Sequence, residues 1–338
     1  MPKIDEYVFS LSMEDFKKLC AAVDKRIDKQ LYGVISFEEA AMHYGRPVVC
    51  PKCGSKDNHE DGFTLASHKR FKCEECGCSF TILSNSIFNS AKIAFHKLMG
   101  YITLISFNVP LELCCEVLNI SSNTADLWRK KIFKTVDGYQ DHLKLYGKVF
   151  IDETYIEDYE VLIEDKVLHP RGLSRTKICI VVAIDQYKNM IAVISGHGKP
   201  SSKRIYNALR THIQEGSTII HDGDRAHDYL IEKLNCKSEV YKANSRDPYY
   251  LKNMALINNM CGWLKRYLWR FIGMDINNLQ SYLNWFIYLQ RCKRDNEKWP
   301  KTTRILRHLV LTNARLVRKT KDSSTTRLYI SRIKNNPN

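Results

Sequence analysis

The chain has 338 residues with a formal net charge of +15, and 44% of its residues are hydrophobic. This length allows about two domains, and the hydrophobic fraction excludes wholesale disorder. The longest apolar stretch, residues 98–109, is too short to span a bilayer, and the N-terminus lacks the apolar core of a signal peptide. We therefore expect a cytoplasmic protein with no membrane partner, whose basic residues bind a polyanion such as nucleic acid.

The first predicted element is an amphipathic helix over residues 12–31. Its apolar stripe is formed by Leu11, Phe16, Leu19, Val23 and Ile27. Ser36 and Glu39 have the spacing of a capping box, which predicts a short second helix that ends before Gly45. We assign residues 1–45 to an N-terminal helical segment.

Two Cys-x2-Cys pairs follow, each with a glycine directly after it. Their members are Cys50, Cys53, Cys73 and Cys76. Four thiolates at this spacing can surround one Zn²⁺ in a tetrahedron, whereas Cys78 fits poorly because it lies only two residues after Cys76. An all-cysteine site leaves no position open for water, so the predicted zinc is structural. The alternative is four unrelated thiols. We predict a zinc ribbon over residues 46–92.

Residues 93–140 have a helical pattern, with a break at Pro110 and a tight polar turn near residue 120. We predict helices over 94–107, 111–118 and 122–134. The last two form a helix-turn-helix, whose first helix is expected to pack through Leu113, Val117 and Leu118. The second helix ends in basic residues suited to DNA phosphates: Arg129, Lys130 and Lys131. The alternative is a plain helical hairpin inside a core.

From residue 148 the pattern changes to β-strands. Four strands are predicted, at 148–156, 177–185, 190–196 and 217–222. Predicted helices lie at 203–213, 251–271 and 277–291. This order is typical of an α/β domain, which we place at residues 145–295.

The final segment, residues 296–338, is strongly basic. It holds 11 lysines and arginines against two acids, Glu297 and Asp322. A basic end of this kind is typical of a solvated tail, although the apolar spacing of Ile305, Leu309 and Leu316 indicates some helix. We assign it as a basic C-terminal tail.

Two aspartates stand out in the α/β domain. Asp152 lies within an apolar strand, where a carboxylate is costly unless it is paired or binds a metal, and Asp222 ends another apolar strand. Strand alternation places Asp152 on one face and Glu153 on the other. Two aspartates on neighbouring strands can hold two divalent cations about 4 Å apart for phosphoryl transfer, and carboxylates favour Mg²⁺ or Mn²⁺. Each aspartate alone is more often a strand-end or capping residue.

The order of these motifs resembles insertion-sequence transposases, most closely the prokaryotic relatives of Merlin DNA transposons. The resemblance covers roughly residues 45–292 and depends on CPKCG and CEECG, the helix-turn-helix, VFIDETYI, a strand ending in HDG, INNMCGWLKRYL and NLQSYLNWF. It implies a ribonuclease-H-like mixed sheet flanked by helices, preceded by a zinc ribbon and a helix-turn-helix region. It also implies two catalytic metal ions held by an Asp-Asp-Glu or Asp-Asp-Asn set.

Within this resemblance Asp152 and Asp222 are the two catalytic aspartates and Asn258 is the third ligand. Lys265 is the lysine that follows in this family, and the adjacent Arg266 is also placed to contact DNA. Asn259 is a less suitable ligand because it lies six residues before the lysine instead of seven. Cys261 stands where the Asn branch often has histidine. The other acids of DETYIEDYE, namely Glu153, Glu157, Asp158 and Glu160, are expected to be surface or positioning groups.

The predicted function is that of a DNA transposase that binds terminal inverted repeats, cuts 3′ strands and joins them to target DNA. The expected partner is double-stranded DNA, bound by a homo-oligomer. One alternative is a DNA-binding protein derived from a transposase whose chemistry has decayed, with Asn258 as the lesion. Another is a ribonuclease-H-like nuclease that does not transfer strands.

Overall fold

The computed structural model describes residues 4–158, 177–244, 246–271, 274–294, 300–318 and 328–331. The chain forms two compact units. One unit combines Met1–Thr135 with Glu297–Asn338, and the other is Val136–Asn296. Within the described residues, no helix combines the length and the apolar character needed to cross a membrane.

The first unit is mainly helical. Its helices are α1 (Ile4–Ser10), α2 (Met13–Tyr32), α3 (Phe37–His43), α4 (Phe95–Ser106), α5 (Leu111–Leu118), α6 (Ser122–Lys134) and α12 (Lys301–Leu311). Ser12 caps α2 by accepting the Asp15 amide, and Gly33 ends it with a φ of 74°, which favours glycine. Ser36 caps α3 through the Glu39 amide, as predicted.

A three-stranded antiparallel sheet lies between α3 and α4. Its strands are β1 (Asn58–Phe63), β2 (Lys69–Cys73) and β3 (Ser79–Thr81), in the order β1-β2-β3. A small cluster of Cys50, Cys73 and Phe80 forms its core. This core is too small to hold three short strands together without a further link such as a metal.

Helix α12 packs within the first unit through its buried residues Ile305, Leu306, Leu309 and Val310. Arg46 satisfies the carbonyls at the end of this helix, because its guanidinium donates to Val310 and to Thr312, and it also donates to Ile82. Part of the predicted tail is therefore a packed helix. A short antiparallel pair, β9 (Arg315–Arg318) with β10 (Leu328–Ser331), follows it. The other tail residues beyond 318 lie outside the described residues.

The second unit contains a five-stranded mixed sheet. Its strands are β4 (Lys148–Glu157), β5 (Lys177–Asp185), β6 (Met190–His197), β7 (Thr218–His221) and β8 (Lys237–Val240), in the order β6-β5-β4-β7-β8. β4 pairs antiparallel with β5 and parallel with β7, while β7 pairs parallel with β8. The buried apolar residues of β4, Val149 and Ile151, share one face of this central strand, whereas Phe150 on the other face is partly buried.

Helices cover this sheet. They are α7 (Ser202–Leu209), α8 (Asp228–Lys233), α9 (Pro248–Asn253), α10 (Ala255–Trp269) and α11 (Leu279–Arg294), with 3₁₀ turns at Arg225–His227 and Ile276–Asn278. Val149 and Ile151 of β4 join a core with Ile205 and Leu209 of α7 and Leu230 of α8. Helix α10 contacts β4 and β5, and α11 contacts β6. The predicted ribonuclease-H-like mixed α/β fold is confirmed.

Two local predictions were wrong, and one strand was missed. The helix predicted at 251–271 is two helices separated at Met254, and strand β8 was not predicted. Leu113 and Val117 do not line the packed face of α5, since they are 46% and 61% exposed. The buried position of α5 is Cys114, which lies about 100° around the helix from Leu113.

Candidate active site

The two aspartates lie side by side on neighbouring parallel strands, Asp152 within β4 and Asp222 directly after β7. Phe150 of β4 pairs with Ile220 of β7, so the same register sets Asp152 level with Asp222, the residue directly after β7. Burial raises the pKa of Asp152 to about 6, and the carboxylates of Glu153 and Asp222 raise it too, against the hydrogen bond from the Glu153 amide. The carboxylates therefore repel one another in the absence of a cation.

Helix α10 contributes the next groups. The Sγ atom of Cys261 lies 3.7 Å from Oδ2 of Asp152. Burial raises the pKa of the Cys261 thiol far above its usual range, so the thiol stays protonated and donates to this carboxylate. Asn258 lies three residues earlier on the same helical face and is partly buried, whereas Asn259 is exposed. The packing of α10 is thus compatible with Asn258 as the residue that faces the acids.

Helix α10 also carries two basic side chains in its C-terminal half. Lys265 lies one turn after Cys261 and two turns after Asn258, and both Lys265 and Arg266 are exposed. Lys265 is near enough to Cys261 to favour its thiolate, although burial outweighs this effect. The two basic residues are therefore available to a phosphate at the surface beside the aspartates.

Glu153 occupies the opposite face of β4, as strand alternation predicted, but it is more than a surface acid. Its Oε1 atom lies 2.9 Å from Nε2 of His227, and these side chains are 11% and 1% exposed. His227 Nδ1 lies 3.0 Å from Nδ1 of His221, whose Nε2 lies 3.0 Å from Oγ of Ser238. A chain of hydrogen bonds thus joins β4, the 3₁₀ turn, β7 and β8 directly behind Asp222.

The protonation states within this chain of hydrogen bonds follow from the pKa values of His227 and His221. Burial lowers the pKa of His227, but its hydrogen bond to Glu153 and the nearby negative charges outweigh burial, and the net pKa is raised. Burial lowers the pKa of His221. A cationic His227 can donate from both ring nitrogens, to Glu153 and to Nδ1 of a neutral His221.

Sequence reasoning missed the role of His227. The one available signal was a second acid, Glu153, within the same apolar strand as Asp152. His227 Nδ1 also lies 3.9 Å from Oδ1 of Asp222. The ligand atoms of His221, Asp222 and His227 lie within 4.8 Å of one another, so these three side chains form a group that could hold a metal ion.

A second basic residue missed from the sequence lies near Asp222. Nζ of Lys199 is 2.6 Å from Oδ2 of Asp224, and this hydrogen bond raises the pKa of Lys199. Arg204 holds the loop that carries Lys199, because its guanidinium donates to the carbonyls of Ser195, His197 and Lys199. The rim beside the aspartates thus carries positive charge on this side as well.

The four predicted zinc ligands come together in the first unit. The ligand atoms of Cys50, Cys53, Cys73 and Cys76 all lie within 4.8 Å of one another. The Sγ atoms of Cys50 and Cys76 are 3.5 Å apart, as are those of Cys53 and Cys73. Zn–S bonds of about 2.3 Å place the sulfurs of a tetrahedral site about 3.8 Å apart, so the cluster fits a metal.

The chemistry of the thiols agrees with this geometry. Burial raises the pKa of Cys50, but the backbone amides of Cys53 and Lys52 donate to its sulfur and lower the pKa to about 6. Such a thiol is readily deprotonated, as a metal ligand must be. Cys78 lies beside the cluster, and its sulfur donates instead to the Ser79 carbonyl at 3.7 Å.

The helix-turn-helix has the predicted elements, with Ser121 capping α6. Its basic residues are partly engaged within the helix. Arg129 is 14% exposed and its Nη2 lies 2.9 Å from Oδ1 of Asp126, which also pairs with Lys130 at 2.8 Å. Nζ of Lys131 lies 4.3 Å from the centre of the Trp128 ring. Lys130 is the most exposed of the three predicted DNA contacts.

The remaining predicted acids are peripheral to the site. Glu157 pairs with Lys177 at 3.2 Å, and Asp158 pairs with His197 at 2.8 Å. Glu160 lies outside the described residues. Among the described acids, Asp222 and Glu153 are the ones that act on Asp152.

Comparison with known proteins adds a family. Residues 144–290 match the family model of the ISXO2-like transposase domain. No curated protein sequence matches the chain. A simian T-cell lymphotropic virus intasome, solved with PP2A regulatory subunit B56 gamma, is 13% identical, with a TM-score of 0.31 and coverage of 62% of this chain and 74% of its own. The Mos1 transposase paired-end complex with left transposon end is 14% identical, with a TM-score of 0.19 and coverage of 56% and 74%.

The family match spans the mixed sheet, both aspartates and helix α10. It therefore agrees with the resemblance found in the sequence and with the observed fold. Residues 144–290 therefore match the ISXO2-like transposase domain and form the ribonuclease-H-like mixed sheet expected from the sequence.

Proposed function

We propose that this transposase cuts and joins DNA strands at the ends of an insertion sequence, with Asp152, Asp222 and Asn258 as its catalytic residues. The observation that carries this proposal is the register of β4 and β7, which sets Asp152 and Asp222 side by side. Helix α10 lies over them, with Cys261 in contact with Asp152 and Asn258 one turn away. Three oxygen-bearing side chains from distant parts of the sequence would then lie together beside the neighbouring strands β4 and β7.

The donor set fits Mg²⁺ or Mn²⁺, which prefer carboxylate and carbonyl oxygens. Burial is the main cause of the raised pKa of Asp152, and the repulsion by Glu153 and Asp222 that adds to it is what a bound cation relieves. Asn258 supplies a neutral amide oxygen, so the site holds one negative charge fewer than a set of three carboxylates. Two bound cations would activate the attacking hydroxyl group and stabilise the leaving oxygen during in-line phosphoryl transfer.

The protein's own residues orient this site and bind the substrate. The Glu153–His227–His221 chain fixes the start of the loop after β7, because the amide of Gly223 also donates to Nδ1 of His221 at 3.2 Å. Lys265 and Arg266 are positioned to contact DNA phosphates on one side. Lys199, on the loop held by Arg204, is positioned to do so near Asp224.

The first unit is proposed to recognise double-stranded DNA at the element ends. Zn²⁺ bound by the four cysteines would hold the three-stranded ribbon, whose own core is small. Helix α6 would read the DNA through its exposed face, which carries Asn123, Leu127 and Lys130 at helical spacing. Arg129 and Lys131 would support phosphate contacts after leaving their partners within the unit. A homo-oligomer in the cytoplasm would bring two element ends together.

The test uses DNA that flanks the gene as the substrate, with Mg²⁺ and the full chain. We expect new 3′ ends at the element boundary and joined products with target DNA. Asp152→Ala should reduce cleavage at least about a thousandfold, because removing a metal ligand removes the electrostatic stabilisation of the transition state. Glu157→Gln, on the same strand but paired with Lys177, should cut like the wild type.

Equal background cleavage by the wild type and Asp152→Ala would contradict the enzymatic proposal. Cleavage without joined products would instead favour a nuclease that does not transfer strands. The second candidate function is sequence-specific DNA binding by a catalytically decayed transposase, which the neutral Asn258 favours. Binding of the flanking DNA without Mg²⁺-dependent cleavage would support it.

A further inference from the structure

The two N-terminal helices expose an unusual amount of apolar surface. Helix α1 buries none of its residues, and α2 buries only Asp28 among its twenty. Five apolar side chains of α2 are between 39% and 70% exposed: Met13, Phe16, Val23, Ile27 and Leu31. Cys20 of the same helix is exposed too. A helix normally gains its stability by packing an apolar face, so this face is expected to have a partner.

The exposed residues form a narrow stripe. Met13, Phe16, Cys20, Val23 and Ile27 follow one another at intervals of three, four, three and four residues. This is the a/d spacing of a heptad repeat, the pattern of a coiled-coil seam. A seam of this kind fits another helix in a shallow crossing better than it fits a sheet, a membrane or a broad groove. We call these five residues together with Leu31 the α2 seam.

Helix α2 uses a different side to pack within its own unit. The ring of Tyr32 lies 6.2 Å from that of Phe95 on α4, and Oδ2 of Asp24 lies 3.9 Å from Nδ1 of His96. Asp28 is buried on this same side. At 100° per residue, the centre of the α2 seam lies roughly 100° around the helix from Asp28. Packing on α4 therefore leaves the α2 seam open to a second helix.

We propose that the α2 seam binds the same seam of a second copy of this chain, with the two α2 helices antiparallel. A seam that repeats about its own midpoint is self-complementary under a twofold axis, as an isologous interface requires. In this arrangement Phe16 meets the partner's Ile27 and Cys20 meets the partner's Val23. Leu31 lies opposite the partner's Met13, so each apolar residue of the α2 seam has an apolar counterpart.

Charges beside the α2 seam select the second copy and its direction. Lys17 and Asp24 lie along one side of the stripe, at the positions that flank a heptad seam, and the Asp24 side chain is 44% exposed beside His96. When the helices are antiparallel, Lys17 faces the partner's Asp24. When they are parallel, Asp24 faces the partner's Leu19. The opposite charges of Lys17 and Asp24 thus favour the antiparallel pair.

The first experiment measures the mass of the full chain in solution by light scattering, without DNA and with a reducing agent. We expect twice the chain mass of 39.4 kDa. The double variant Val23→Glu/Ile27→Glu places four carboxylates in the paired seams, and its mass should fall to that of one chain. Ala22→Glu is the matched control, because Ala22 is exposed on the other side of α2, and its mass should stay doubled.

Circular dichroism should show the same helix content in the wild type, the double variant and the control, since the substituted residues are exposed. A wild-type mass of one chain up to about 100 µM would overturn the proposal. So would a doubled mass in the Val23→Glu/Ile27→Glu variant. Because no DNA or divalent cation is present, these results are independent of the proposed catalytic function.

The second experiment tests the direction of the helices. Phe16→Cys and Ile27→Cys are made separately in a chain that carries Cys20→Ser, mixed, and mildly oxidised. Antiparallel helices should give a disulfide between the two different variants, because the two positions face each other across the seam. A disulfide that forms equally well within each variant alone would overturn the antiparallel arrangement, and so would the absence of any cross-link.

Discussion

The two candidate metal sites of this protein are built in contrasting ways. The cysteine site lies within residues 50–76, and its four thiols are carried by two turns at the edge of a three-stranded sheet. The carboxylate site joins Asp152, Asp222 and helix α10, which lie far apart in the sequence and meet because of the order of strands. One site shapes its small sheet, whereas the other depends on a sheet that forms independently of it.

This difference predicts opposite responses to the loss of metal. The core cluster of the ribbon has three buried residues, so we expect its fold to depend on the binding energy of a metal ion at the four cysteines. The mixed sheet has a large apolar core, and its carboxylates repel each other within it. Loss of the ribbon metal should therefore cost structure, whereas loss of the catalytic metal should cost activity alone.

The largest effect is expected from Cys73→Ser. Structural zinc sites contribute roughly 10–16 kcal/mol of apparent binding energy, which is more than a small ribbon can lose and remain folded. The variant should contain no zinc by elemental analysis and should lose binding to the flanking DNA. Cys78→Ser is the control, because Cys78 lies beside the cluster with its sulfur on the Ser79 carbonyl, and it should keep the metal.

Zinc retained by Cys73→Ser, or lost equally by both variants, would show that the ligands are not the four cysteines proposed. The contribution of the mixed sheet and its helices to the circular dichroism spectrum of the chain should be unchanged in either variant. A general collapse of the second unit would contradict the independence of the two sites.

The ease of predicting the two sites from the sequence follows from the same difference. The cysteine spacing alone identified its cluster, because all four ligands are within a short segment. Strands β4 to β7 and most helices were also predicted, since their apolar periods are regular, whereas the short strand β8 was not. Asp152 and Asp222 were identified as strand residues, but their pairing required a topology, which the family resemblance supplied.

The rest could not be read from local patterns. His227 follows no motif, and its position beside Glu153 depends on how the 3₁₀ turn packs against β4. Leu113 and Val117 satisfy a helical pattern, yet the packed face of α5 is centred on Cys114. Sequence periodicity shows that a helix has an apolar face, but it does not show which side of the helix packs against the rest of the fold.

The next largest effect concerns the chain of hydrogen bonds behind Asp222. Glu153→Gln removes the charge that pairs with the buried His227, and it should lower the free energy of unfolding by about 1–3 kcal/mol. The loss should appear as a lower denaturant midpoint of the second unit. Glu157→Gln, four residues further along the same face of β4, affects a pair with Lys177 near the surface and should change this midpoint little.

An equal midpoint for Glu153→Gln and the wild type would show that the pair does not stabilise the fold. Because the raised pKa of His227 means that the folded state binds its proton more tightly, this contribution is present at low pH and is lost as the pH rises through the folded pKa. The difference between Glu153→Gln and the wild type should therefore shrink at alkaline pH.

A smaller effect is expected from the pH dependence of Asp152. Its folded pKa of about 6 exceeds the ordinary value of 3.8, so the folded state binds the proton more tightly. In Mg²⁺-free buffer, stability from this group should therefore fall as the pH rises from about 4 to 6, by at most about 3 kcal/mol. Asp152→Asn should remove this slope in denaturant titrations at each pH.

Added Mg²⁺ should reverse the trend, because only the ionised carboxylate is a good ligand. We expect its stabilising effect to be larger at pH 7.5 than at pH 5 in the wild type and to be absent in Asp152→Asn. Buffers should be free of Mg²⁺ without a strong chelator, which would also remove zinc. An Mg²⁺ effect of equal size at both pH values would contradict Asp152 as a ligand.

The smallest effect, and the one that separates an active from a decayed transposase, is expected from Asn258→Asp. A third carboxylate adds charge to the site, which should tighten Mg²⁺ binding by roughly tenfold, equivalent to about 1.4 kcal/mol. Asn259→Asp is the control, since Asn259 is exposed one residue further along α10 and should leave Mg²⁺ affinity unchanged. In an active enzyme adapted to asparagine, cleavage of the flanking DNA should stay equal or fall. The added carboxylate changes the electrostatic field around the bound cations. Cleavage that appears only in Asn258→Asp would instead identify the wild type as a decayed, DNA-binding descendant.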